Sequence, residues 1–449
     1  MNVTMKRDVV TFFAMCMAAV AFGAVPSETS EKLRIDRTKF LIGAYCTQGF
    51  NPTEAQVGQM VEGGLDYVFG AFNGASLDAC AKIGLKVFQD GLVPWWWGGS
   101  ELVTNGMMAA MRPIKGYEDA MTNMKDHPAI AAVAIADEPS ALDFEHMGKA
   151  VETVQRMSPC GFVYLNLFPS YASAASLTLE QAKSQLGTDT YEDHIERYCK
   201  YIPLDYICFD SYIWGWGNKP WVLYENLRVV GDACTGTWKS LWVVLQENTY
   251  EENGKGNGSG PMTLGRLRFQ SNVAMAFGAE MISWACWKGW WKDCVLDKEG
   301  KSATFMFDSI KQVNMEIHAL GNRLMAFRRT KTDFVDFGDS TDELHNVGQV
   351  AVTSSSGVAF ASVKAEDSSP LLVGHFLARD GSNGHAMYVV SCDDPHDKGG
   401  KLHKVTFAAK GRKLSAFDRT GKLTLDMTPD GLHSFTVRSN DAVLVVATR

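Results

Sequence analysis

An unbroken apolar run that ends in acid sets the terms for this chain. Ala129 to Ala136 contains only alanine, isoleucine and valine, and it leads straight into Asp137, Glu138 and Pro139. An alternating strand keeps one face in water, whereas a continuous apolar one is covered on both faces, as in a parallel sheet wrapped by helices. Asp137 and Glu138 then stand where the strand emerges at its carboxyl end. In closed α/β barrels that rim carries the chemistry, because its loops vary without disturbing the core. Taken alone, Asp-Glu-Pro also reads as a loop that caps the next helix.

A second run, Leu241-Trp-Val-Val-Leu-Gln246, ends the same way, in Glu247 and Asn248. Two buried strands that each deliver a glutamate to one rim are far more specific than either alone. Facing each other across a barrel mouth, about 5 to 6 Å apart, Glu138 and Glu247 have the geometry of acid and nucleophile for cleaving a glycosidic bond.

Around these runs, apolar strands alternate with amphipathic helices, the pattern of parallel βα units. Strands are expected at 40–45, 65–72, 85–89, 129–136, 162–167, 205–209, 241–246 and 281–286. The helix after the fourth carries Phe144, Met147, Val151 and Val154 on one face. Asn51-Pro52-Thr53-Glu54 announces the first helix, with Asn51 as its cap. Eight strands and eight helices predict a (β/α)8 barrel, or TIM barrel, as a catalytic domain over 25–330. Beyond that, short strands broken by Ser-Gly, Asp-Gly and Gly-Gly turns predict a small antiparallel β-sandwich over 331–449 with an accessory role. Residues 1–24, with Lys6 and Arg7 before an apolar run, read as a secretory signal peptide, so the mature chain is expected to be secreted or periplasmic. No other stretch approaches the length of a membrane span, so no integral membrane segment is expected after cleavage.

Several functions are excluded by composition. A formal net charge of −8 without a basic stripe argues against nucleic acid. Ten cysteines, nine of them after residue 24, form no Cys-x-x-Cys pair, and the odd number leaves at least one thiol free. The barrel's histidines, His127, His146, His194 and His318, all fall away from strand ends. A histidine metal site or Ser-His nucleophile is therefore not expected at the rim, and neither a metal nor another cofactor is expected. Acid and base work falls to carboxylates.

What surrounds the rim suits a saccharide. Of twelve tryptophans, ten lie at or after three strand ends, among them Trp95, Trp96 and Trp97, Trp214 and Trp216, and Trp284 and Trp287. Indoles present flat amphipathic faces that stack on sugar rings, although about half of such residues are expected to pack loops instead. Trp95, Trp96 and Trp97, as one loop, and Trp284 and Trp287 are the candidate sugar platforms, with Trp284 placed under the ring at the nucleophile because strand eight adjoins strand seven. Asp137, Asn166, Asp210 and Tyr212 are candidate hydroxyl partners; each alone could equally cap a helix or satisfy a loop.

On Glu138 in Asp-Glu-Pro and Glu247 in Gln-Glu-Asn, the chain resembles the large clan of retaining glycoside hydrolases on (β/α)8 barrels, whose acid/base glutamate ends strand four and whose nucleophile ends strand seven. The resemblance covers residues 40 to 327. It implies a hydrolase of O-glycosidic bonds in an oligo- or polysaccharide, β-linked and cleaved with retention, with Tyr212 beside the nucleophile and Trp284 or Trp287 beneath the sugar. One departure concerns Asp137: the clan has asparagine there, whose amide donates to the 2-hydroxyl, whereas a carboxylate only accepts. The added charge also raises the pKa of Glu138, as a general acid requires. The alternative is a barrel that binds glycans without cleaving them.

Overall fold

Continuous apolar runs become the strands of a closed ring. In the structure, a computed structural model, β1 (Leu41–Cys46), β2 (Tyr67–Gly70), β3 (Lys86–Gln89), β4 (Ile130–Asp137), β5 (Val163–Asn166), β6 (Tyr206–Ser211), β7 (Ser240–Gln246) and β8 (Ala279–Lys288) all run parallel to their neighbours. The seam between β5 and β6 is joined by a parallel bridge from Leu167 to Phe209. Outside the ring lie α1 (Glu54–Glu62), α2 (Gly74–Ile83), α3 (Ile114–Thr122), α4 (Phe144–Met157), α5 (Tyr191–Tyr201), α6 (Pro220–Thr237), α7 (Leu264–Ala276) and α8 (Thr304–Leu324). The fold is the (β/α)8 barrel that the alternation predicts. The residues described are 33–47, 49–98, 105–174, 183–214, 220–249, 251–252, 255–256, 261–289, 291–297, 300, 304–338, 351–396, 399–409 and 411–448; the expected signal peptide at 1–24 and Trp216 lie outside them.

Aromatic side chains fill the barrel. Tyr67 stacks on Phe88 with ring centroids 4.1 Å apart, and the contact continues to Phe162, Trp242 and Tyr206. Nearer the mouth, Tyr45 stacks on Phe69 and both meet Tyr164. Gly43 makes room for this layer, since a Cβ there would lie 2.1 Å from the Tyr67 ring. Helix α4 buries Phe144, Met147, Val151 and Val154 as its spacing predicts. Helix α1 starts later than expected: its cap is Thr53, which accepts from the Gln56 N–H, while Asn51 accepts from Asn73.

Behind the barrel stands an antiparallel sandwich of a seven-stranded and a four-stranded sheet. One face of the larger sheet joins the barrel's core through Leu372, Phe376 and Tyr388; the other faces the smaller sheet through Val389, Phe407 and Phe435. Its strand β9 (Phe327–Val335) escaped the sequence reading because it is mostly polar, Arg-Arg-Thr-Lys-Thr-Asp in its middle. Those charges tie the domains together: Arg329 bonds Asp232 of α6 at 2.8 Å. A second tie links Arg268 of α7 and Arg419 of the sandwich to Glu316 of α8.

Candidate active site

The tip of β4 is shaped by its neighbours. Glu138 has φ 48°, a left-handed conformation uncommon for a residue with a side chain. Its N–H donates to the Asn166 carbonyl at the tip of β5, 2.9 Å away. On the other side Trp96–Trp97 runs parallel to Ala136–Asp137, and the Gly98 N–H donates to the Asp137 carbonyl. Only glycine fits at 98, because a Cβ would lie 2.2 Å from the Glu138 carbonyl oxygen. This close approach sets the Trp97 indole N–H 3.2 Å from Glu138 Oε2, with Trp97 45% exposed.

Three carboxylates meet here. Asn166 Nδ2 donates to Asp137 Oδ1 at 3.1 Å and to Asp210 Oδ1 at 2.9 Å, joining the tips of β4, β5 and β6. Burial pushes Asp137 up to about 6, opposed by the Asn166 donor and aided by the Asp90 charge. Burial, then the Asp137 charge, pushes Asp210 up to about 8. Glu138 is held well above the usual carboxylate range by burial and by the charges of Asp210 and Asp137, with the Trp97 donor opposing. Tyr171 feels the charges of Asp210 and Glu138, and its hydroxyl accepts from the Tyr212 N–H. Asp137, Glu138, Asn166, Asp210 and Tyr212 thus lie at one group of strand ends together with Trp97, and Tyr171 joins them. Tyr171, in the segment after β5, gave no signal in the sequence.

Glu247 has different surroundings. Its side chain is wholly buried, Oε1 accepts from the Val295 N–H at 3.0 Å, and Oε2 has no partner among the described residues. Its charge acts on the thiols of Cys46, Cys286 and Cys294. Burial holds the carboxyl well above its ordinary range, with the Val295 donor opposing. Residues 291–296 cover it, stitched down by the Thr249–Lys292 and Lys288–Leu296 bridges.

The expectations for Trp284, Trp287 and Trp96 need correction. Trp284 is fully buried and its indole N–H donates to Asn314 on α8, 2.8 Å away, so it packs between strand and helix. Trp287 is also fully buried, against Gly63 at the end of α1 and Phe307 of α8. Trp96 is 3% exposed, and half-buried Trp95 approaches Phe69. On a strand apolar on both faces, an indole is drawn as readily to the helix layer as to the mouth. Trp284→Ala is therefore expected to destabilise the fold by about 3 to 5 kcal/mol in chemical denaturation. Activity per folded molecule should change less than about threefold, under roughly 0.7 kcal/mol.

Among the described residues no group of three or more histidine, cysteine or acidic side chains is arranged to hold a metal ion. None of their helices is long and apolar enough to cross a membrane.

No protein-family model and no curated protein matches this chain. Among solved structures, a chain described as a glycoside hydrolase is 12% identical with a TM-score of 0.54, the match covering 91% of this chain and 92% of that one. A glycoside hydrolase family 5 from Bacteroides vulgatus is 10% identical with a TM-score of 0.51, covering 91% and 89%. At such identities the likeness is one of fold.

Proposed function

We propose that this chain is a secreted or periplasmic glycoside hydrolase that cleaves β-linked O-glycosidic bonds of an oligo- or polysaccharide with retention. Glu138 is its acid/base and Glu247 its nucleophile. The observation that carries the reading is the setting of Glu138: a half-buried carboxyl on the mouth, held well above the usual carboxylate range by burial and by the charges of Asp210 and Asp137. A carboxyl biased toward its protonated form beside an exposed indole suits a leaving-group oxygen on a sugar. Two structures of like fold that are described as glycoside hydrolases support the same substrate class.

In the mechanism, Glu247 attacks the anomeric carbon while Glu138 protonates the departing oxygen; Glu138, now a base, then draws a proton from the water that releases the sugar. Glu247 must first be uncovered and ionised, because Val295 holds one oxygen and no solvent reaches the other. The covered state of Glu247 also favours a second reading, a barrel that binds glycans without cleaving them. Glu138→Gln separates the two. It should abolish turnover on unactivated glycosides while leaving affinity within about threefold, by calorimetry against oligosaccharides. Binding without any wild-type turnover would leave the second reading.

A further inference from the structure

We propose that Asp210 is a positioning residue for the general acid: tied to Asp137 through the side-chain amide of Asn166, it shares a single negative charge with Asp137 and so keeps Glu138 protonated. The inference rests on the reading of Glu138 as acid and adds a partner that the two-glutamate scheme lacks.

The geometry is specific. Both hydrogens of the Asn166 amide are committed, one to each aspartate, while its Oδ1 accepts from the Cys208 thiol at 3.5 Å. The amide is therefore fixed, and Asp210 cannot turn away without breaking a buried bond, nor Asp137 without breaking a part-buried one. Asp210 is 3% exposed and Asn166 4%. The same Asn166 receives the Glu138 N–H on its backbone carbonyl, so one residue sets the spacing of all three acids.

The groups that face this cluster come from every adjoining strand end. Trp97, after β3, donates to Glu138. Asp90, at the end of β3, acts on Asp137. Tyr171, after β5, faces Asp210 and Glu138. The Tyr45 hydroxyl, bonded to that of Tyr164, feels Asp137. Among the described residues, no lysine or arginine contributes to the three carboxyls.

Two carboxylates bridged by one neutral amide, with no cation beside them among the described residues, do not both ionise at neutral pH, and they titrate as a pair. Asp137 loses its proton first and Asp210 second. The first charge disfavours ionisation of Glu138; the second, arriving as pH rises, disfavours it further. Activity that needs Glu138 protonated then persists to higher pH than Glu138 alone would allow.

Carbon-13 NMR of carboxyl-labelled glutamate in the full chain tests this, the Glu138 signal being identified by its loss in Glu138→Gln. In Asp210→Asn the Glu138 midpoint should fall by about one pH unit or more. The alkaline limb of kcat/KM should fall with it, and Asp210→Glu should restore both. Asp137→Asn, at a half-buried position, should lower the midpoint too, and it serves if Asp210→Asn does not fold. An unmoved midpoint in a folded variant overturns the proposal, even if kcat drops, because a merely structural role lowers kcat without moving the titration. The NMR signal needs no turnover, so loss of the hydrolase reading would be seen separately, as a wild-type chain that cleaves nothing.

Discussion

Glu247→Ala is expected to lower kcat/KM by at least about 10⁴-fold, roughly 5.5 kcal/mol, because it removes the atom that forms the covalent bond to the sugar. Azide should restore part of the rate, filling the vacated space and giving a glycosyl azide of inverted configuration. The wild-type pH profile should carry the mark of burial. Glu247 must be ionised to attack, and its carboxyl is pushed up with the Val295 N–H in opposition. Activity therefore rises with pH only above the ordinary carboxylate range, and falls as Glu138 gives up its proton. An acidic limb in kcat/KM near pH 4 would place a different, unburied carboxylate in that role.

Glu138→Ala should separate substrates by leaving group. On glycosides with poor leaving groups the loss should be about 10² to 10⁴-fold, the usual worth of a positioned proton donor. On activated aryl glycosides, whose leaving group departs without protonation, the first step should keep much of its rate and a glycosyl-enzyme should accumulate. Initial rates across a series of aryl glycosides measure this. Equal losses along the series would remove Glu138 from the acid role.

How far these features were legible in the sequence follows from where side chains point. The barrel was readable because a strand covered on both faces must be apolar throughout, as Ala129 to Ala136 is. The same property hides orientation. In β8 the sequence Ser283-Trp284-Ala285 does not say which residues face the interior; Asn314 of α8 receives Trp284, and thirty residues of chain separate the pair. Asp137, Asn166 and Asp210 could be foreseen as one group, because the polar ends of consecutive strands must converge on one rim. The cover over Glu247 could not, since it depends on Val295 and the bridge from Thr249 to Lys292 in an irregular segment. Strand β9 was missed because Arg-Arg-Thr-Lys-Thr-Asp has no apolar face; its partner strand Leu371–Ala378 supplies the pairing.

The central claim is that a glycosidic bond is cleaved through a covalent intermediate on Glu247. A 2-deoxy-2-fluoro glycoside with an activated aryl leaving group tests it most directly, because fluorine slows formation and release of the intermediate while the good leaving group restores formation. After incubation and proteolysis, mass spectrometry should find one fluorosugar per chain, on the peptide that carries Glu247, and Glu247→Gln should take up none. A label on Asp210, or none from any fluorosugar whose parent glycoside the enzyme hydrolyses, would contradict the account.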